Sequence, residues 1–207
     1  MKQATLVLAI MIMVLCSAAQ ADVLFNLGNN PQPDEENILL NKNTTGLTVY
    51  GQTQSGILVA FSSTTDTLTE PSSGQARIEA QDEWVNNITI SVPGGTFGDL
   101  IMNPFNINCP PGVKCDDEAT VTAIGTSTHP FNYILGNGNN FLTITTSDGE
   151  MLASVSIDYS RGFESLQQPR ISGVAGGVPV PEPATMLLLG SGLLGLAGYG
   201  RKKFCKR

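Results

Sequence analysis

Histidine occurs once in the 207 residues, at His129, so an imidazole-based nucleophile triad has a single candidate base, placed beside Pro130 in a Thr/Ser-rich stretch that reads as a structural or solvent-facing turn. No glycine-rich phosphate loop, no H-x-x-H pair and no paired C-x-x-C occurs, so no cofactor and no dedicated metal site is implied. Basic residues are scarce too. Between residues 22 and 180 only Lys42, Arg77, Lys114, Arg161 and Arg170 oppose seventeen Asp and Glu, leaving a net charge of −12. Nucleic acid is excluded as a partner, because a phosphate backbone needs a basic surface. The same segment has no ten-residue run of helical period and no repeat of solenoid length.

Long apolar runs are confined to the two ends. At the first, Lys2, an apolar stretch over residues 6–15 and small residues at Ala19 and Ala21 form the three parts of a secretory signal peptide over 1–21, with the mature chain beginning at Asp22. Cys16 follows Leu15 rather than the small residue that a lipid-acceptor cysteine wants. At the other end, residues 184–200 are seventeen without a charge, a helix roughly 25 Å long at ~1.5 Å per residue. That is short for a hydrocarbon core of about 30 Å, a gap that bilayer thinning or snorkelling of basic flanks closes. Arg201, Lys202 and Lys203 follow at once, and positive charge stays cytoplasmic, so everything before the span lies outside. Gly190, Ser191, Gly195 and Gly198 give the span a small-residue surface suited to close helix contact. Pro181 and Pro183 bracket Glu182 just before it and keep the backbone extended, as a protease cleft requires.

This ordered triplet, span and basic end resembles the PEP-CTERM sorting signal of exported bacterial proteins, through Val180, Pro181, Glu182, Pro183, Ala184 and Thr185, the Gly- and Leu-rich run, and Arg201, Lys202 and Lys203. The resemblance covers about the last thirty residues. It implies recognition by an exosortase, a membrane-embedded cysteine transpeptidase, removal of the span, and transfer of the body toward the surface or exopolysaccharide of a polymer-secreting Gram-negative host. It says nothing of what the body does.

Of four cysteines, Cys16 leaves with the signal peptide and Cys205 stays in the cytoplasmic tail; Cys109 and Cys115 remain in an oxidising compartment and are expected to form a disulfide across a turn containing Pro110, Pro111 and Gly112. The body alternates apolar and polar residues. Ile88, Ile90 and Val92 share one face; so do Met151, Ala153, Val155, Ile157 and Tyr159; residues 57–61 are apolar throughout, the pattern of a strand buried on both sides. Further strands are expected at 23–27, 46–50, 75–80 and 120–124. Turns at 136–140 and 147–149 suggest that 131–135, 141–145 and 151–159 pair as an antiparallel meander. The expected fold is all-β: a single antiparallel β-sandwich, jelly-roll-like or Greek-key, over 22–170, then a flexible stalk over 171–180 and the sorting signal over 181–207, with helices only in the signal peptide and the span.

Three functions compete for the body: a non-enzymatic surface or matrix protein, a carbohydrate-binding or adhesive module of the exopolysaccharide, and a β-sandwich glycosidase working with two carboxylates. For the last, Glu79, Asp82 and Glu83 beside Trp84 are the candidates. Trp84, however, keeps register with Ile88 and Ile90, which assigns it to the core rather than to a sugar-stacking platform. Two acidic clusters, Asp34-Glu35-Glu36 and Asp116-Asp117-Glu118, could offer oxygens to Ca²⁺, but neither has the spacing of a calcium loop and both read as solvated charge.

Overall fold

Strands form where alternation predicts them: along Val85–Ser91 the Ile88 and Ile90 side chains are buried while Thr89 and Ser91 sit half-exposed on the opposite face. The computed structural model describes residues 22–40, 44–71, 74–75, 77–107 and 118–177, and every regular element among them is a strand. Eleven carry the fold: β1 (Asp22–Leu27), β2 (Thr48–Gln52), β3 (Leu58–Ser62), β4 (Arg77–Ala80), β5 (Val85–Ser91), β6 (Asp99–Phe105), β7 (Glu118–Ile124), β8 (Thr128–Ile134), β9 (Leu142–Ser147), β10 (Ser154–Phe163) and β11 (Ser165–Ser172).

They make two antiparallel sheets. The first runs β1, β9, β6, β11, β4, extended by the short pairs Leu68–Thr69 and Thr45–Gly46, with Glu36–Asn37 also on β11. The second runs β8, β7, β10, β5, β3, β2, extended by Leu39–Leu40 and Gly74–Gln75. Their inner faces share one apolar core, to which Leu100, Met102, Ile144 and Leu166 come from the first sheet and Phe61, Ile88, Ile157 and Tyr159 from the second. Each such fully buried aliphatic or phenyl side chain contributes about 1.5–3 kcal/mol. At one flank the edge strands β1 and β8 close the sandwich through Phe25 stacked on Phe131, ring centroids 4.8 Å apart.

The all-β sandwich is as expected, and residues 59–61 are buried consecutively, as an all-apolar strand should be. The connectivity differs. The expected meander does not form: β8 and β10 lie in the second sheet and β9 between them in the first, so the turns at 136–140 and 147–149 carry the chain across the sandwich. Those turn residues reverse direction without dictating which sheet receives the next strand. Asn140, for example, donates to the carbonyls of Pro104, Gly136 and Gly138, tying its loop to β6. Met151 and Ala153 fall outside β10, and Leu152 is buried instead, bridging to Phe97. His129 is within strand β8, opposite Ala123, rather than in a turn; Pro130 is tolerated because β8 is an edge strand.

Beyond Arg161 the sequence alternation fades, yet β11 is a central strand, and Ala175–Gly176 pairs with Gly95–Thr96. The expected stalk over 171–180 is therefore occupied by sheet pairing as far as Gly176. Close backbone approach requires the glycines: a Cβ on Gly95 would lie 2.4 Å from the Gly177 nitrogen. Residues 178–180, Ala19, Ala21, Cys109, Cys115, Pro181, Glu182, Pro183, the 184–200 span and Arg201, Lys202 and Lys203 lie outside the described residues.

Candidate functional site

Two inter-sheet crossovers meet at one end of the sandwich. Residues 81–84 carry the chain from β4 to β5, and Glu164 carries it from β10 to β11. Between them lies a cavity of about 480 Å³ whose lining includes Thr69, Arg77, Glu79, Glu83, Trp84, Ile107 and Glu164.

Strand β4 supplies the polar wall by simple alternation. Ile78 and Ala80 enter the core, and Arg77 and Glu79 face out, as their spacing predicts. Arg77 Nε stands 2.6 Å from Glu79 Oε1, and its terminal nitrogen donates to Glu164 Oε1 at 3.0 Å. The second contact exists because Glu79 pairs with Ser165 across the sheet, which brings Glu164 alongside. One guanidinium thus holds two carboxylates from segments far apart in sequence.

Trp84 also lines the cavity. A turn precedes it, in which Gln81 N–H donates to Thr67 O at 2.8 Å and Glu83 N–H to Ala80 O at 3.1 Å, with Glu83 at φ +77°. The assignment of Trp84 to the core is corrected here: it is half-buried, absent from the core, and lines the cleft. The cause is a β-bulge. Val85 pairs with Phe163 but Asn87 pairs with Asp158, so parity shifts and Val85, not Trp84, joins Ile88 and Ile90 inside. Asp66 clamps the bulge, its Oδ2 accepting from Asn86 N–H at 2.8 Å and Asn87 N–H at 3.0 Å. Gly162, φ +71°, packs against the base of this side chain, where a Cβ would come within 2.7 Å of Trp84 Cβ.

Chemically the cleft offers a flat apolar face, a fixed planar donor group and three carboxylate acceptors. Glu79, Glu83 and Trp84 were legible as a cluster in the sequence; Asp82 is exposed in the turn and does not line the cavity. Glu164, Thr69 and Ile107 carried no sequence signal, since only cross-strand pairing brings them there.

The remaining candidates have other employment. Glu35 accepts from Arg170 and from Gln32 N–H, the latter at 3.0 Å; Glu36 accepts from Ser55 N–H at 2.6 Å. That acidic cluster fastens the 28–37 segment to the sandwich. Asp116 and Asp117 lie outside the described residues, and Glu118 opens β7. Among the described residues no three His, Cys, Asp or Glu side chains assemble as a metal centre. His129 Nε2 contacts Ser127 Oγ at 2.9 Å on the exposed edge, away from the carboxylates that line the cleft. Asp22, the expected first mature residue, begins β1 opposite Ser147.

Residues 179–202 match the PEP-CTERM protein-sorting motif. No curated protein matches the chain by sequence. Two solved structures of CBM29-2 mutants, which probe ligand recognition by family 29 carbohydrate binding modules, are similar to it. One has 10% identity over 75% of this chain and 89% of that one, the other 11% over 80% and 99%, each with a TM-score of 0.24.

Proposed function

Because the chain carries the PEP-CTERM motif of an exported protein, held at the membrane through its C-terminus, we propose that it is an exosortase substrate whose body serves, without catalysis, at the cell surface or in the extracellular matrix. The observation that carries this reading is the motif match over 179–202, in which triplet, apolar run and basic end follow in order. In the proposed sequence of events the signal peptide directs export and leaves at Ala21. The 184–200 span then halts in the bilayer, Arg201, Lys202 and Lys203 stop transfer, and the exosortase acts at the extended segment around Pro181, Glu182 and Pro183. Cys109 and Cys115 close their disulfide once outside.

The cleft supports a non-catalytic body. Glycoside hydrolysis needs two carboxyl groups facing each other across the scissile bond, one as acid and one as nucleophile or base. Glu79 and Glu164 instead converge on the same guanidinium. A direct test replaces Glu182 with Ala in the native host. The expected result is an unprocessed, membrane-retained chain; unchanged processing of Glu182→Ala would count against recognition of the triplet.

A further inference from the structure

We infer that the cleft between Trp84 and Arg77 is a binding site for a neutral polysaccharide segment. The inference rests on the export reading for the compartment in which such a polymer is met, and on the cleft's own geometry for the rest.

Trp84 is the chain's one tryptophan, and an indole, the largest side chain, has most of its area buried in a typical fold. Here three separate features keep it at the surface of the cleft: the left-handed backbone of Glu83, the bulge held by Asp66, and the missing side chain at Gly162. Backbone held in a sparsely populated region needs support from its surroundings, and such support is commonly found where a side chain must be presented to a ligand. A pyranose ring is amphipathic in the matching sense, with an apolar C–H face to lie on an indole and a rim of hydroxyls.

Arg77 and its carboxylates suit that rim. The guanidinium has five N–H donors in a rigid plane, and the two glutamates fix that plane in the lining of the cleft without needing all five. Glu79 and Glu164 each retain lone pairs for a hydroxyl donor, and Gln81 and Thr69 add neutral hydrogen-bonding groups to the lining. The volume falls within the range of ordinary ligand pockets, roughly 300–1,000 Å³.

Charge selects among sugars. Glu79, Glu83 and Glu164 face one Arg in the lining, and the surrounding body is itself strongly acidic. A uronate, sulfate or phosphate group would meet like charge, and among the described residues the lining holds no cation besides Arg77, which already pairs with two glutamates, so the site favours an uncharged polymer.

The single tryptophan makes the test direct, because its emission reports the cleft and nothing else. The chain is purified from its host, processed or not, and titrated with neutral oligosaccharides of β-glucan, mannan and galactan, and with oligogalacturonate. The expected result is a saturable blue shift with at least one neutral series and none with oligogalacturonate. Glu164→Gln and Arg77→Met should each weaken that response at least about tenfold while keeping the wild-type melting profile. Trp84→Phe, which is silent in emission, should lose retardation in native gels cast with the responding polymer. No saturable response to any neutral series overturns the inference, as does an equal or greater response to oligogalacturonate, or undiminished binding by the variants. Failure of the export reading is separable, because the mass of the purified chain reports processing whatever the titration gives.

Discussion

Gly162 shows how one residue sets the cleft. Its φ of +71° and the 2.7 Å approach to Trp84 Cβ leave no room for a methyl group. Gly162→Ala should cost about 1–3 kcal/mol in urea unfolding and displace the Trp84 emission maximum even without ligand. Asp66→Ala should cost about 2–3 kcal/mol by the same measurement, since two bulge amides lose a charged acceptor while Asp66 itself is buried. Glu70 acts in the opposite sense. Burial pushes its carboxyl above the usual range, weakly opposed by Thr44. Its folded form therefore holds a proton longer than the unfolded chain, and stability falls as pH rises from about 4.3 through the raised folded value. Glu70→Gln should remove that slope and melt higher than wild type at neutral pH. At this scale the sequence revealed the alternation of Arg77 and Glu79 with Ile78 and Ala80, but misplaced Trp84. A bulge changes parity without leaving a residue type that announces it.

At the scale of elements, strands with one partly exposed face were readable and strands covered on both faces were not. In β5 and β10 one face meets the core and the other is partly exposed, so apolar and polar residues alternate. In β6 the side chains from Leu100 to Pro104 are all buried, Asn103 among them, because loops cover the outer face: Asn103 donates to Asn139 at 2.7 Å and accepts from Asn140 N–H at 2.8 Å. Strand β11 is irregular as well, with Gln168 at φ +50° where its register with β6 shifts. Neither strand leaves a period-two signature. The β7–β8 connection offers a test of a turn. Glu150 accepts from Thr126 through both hydroxyl and amide, and those hydrogen bonds, helped by His129 against some desolvation, hold its carboxyl below the usual range. Its contribution is present above the unfolded carboxylate pKa, about 4.3, and is lost as pH falls through the lower folded value. Glu150→Ala should therefore melt below wild type at neutral pH, and the two curves should converge in acid; a gap independent of pH would contradict that account.

For the molecule as a whole, fold and destination came from separate parts of the chain. The sandwich is built by the body, while the sorting information sits in 179–202, where a short ordered motif was readable without any knowledge of the fold. The cleft was half legible: its carboxylates and tryptophan cluster in sequence, whereas Glu164 reaches them only through the pairing of β4 with β11. The measurement that bears most directly on the central claim is the intact mass of the protein recovered from its native host. The account predicts a chain that starts at Asp22, contains one disulfide and ends near Pro181, Glu182 or Pro183, with or without added carrier mass. A chain that still ends at Arg207 would contradict it and make the C-terminal segment a permanent anchor.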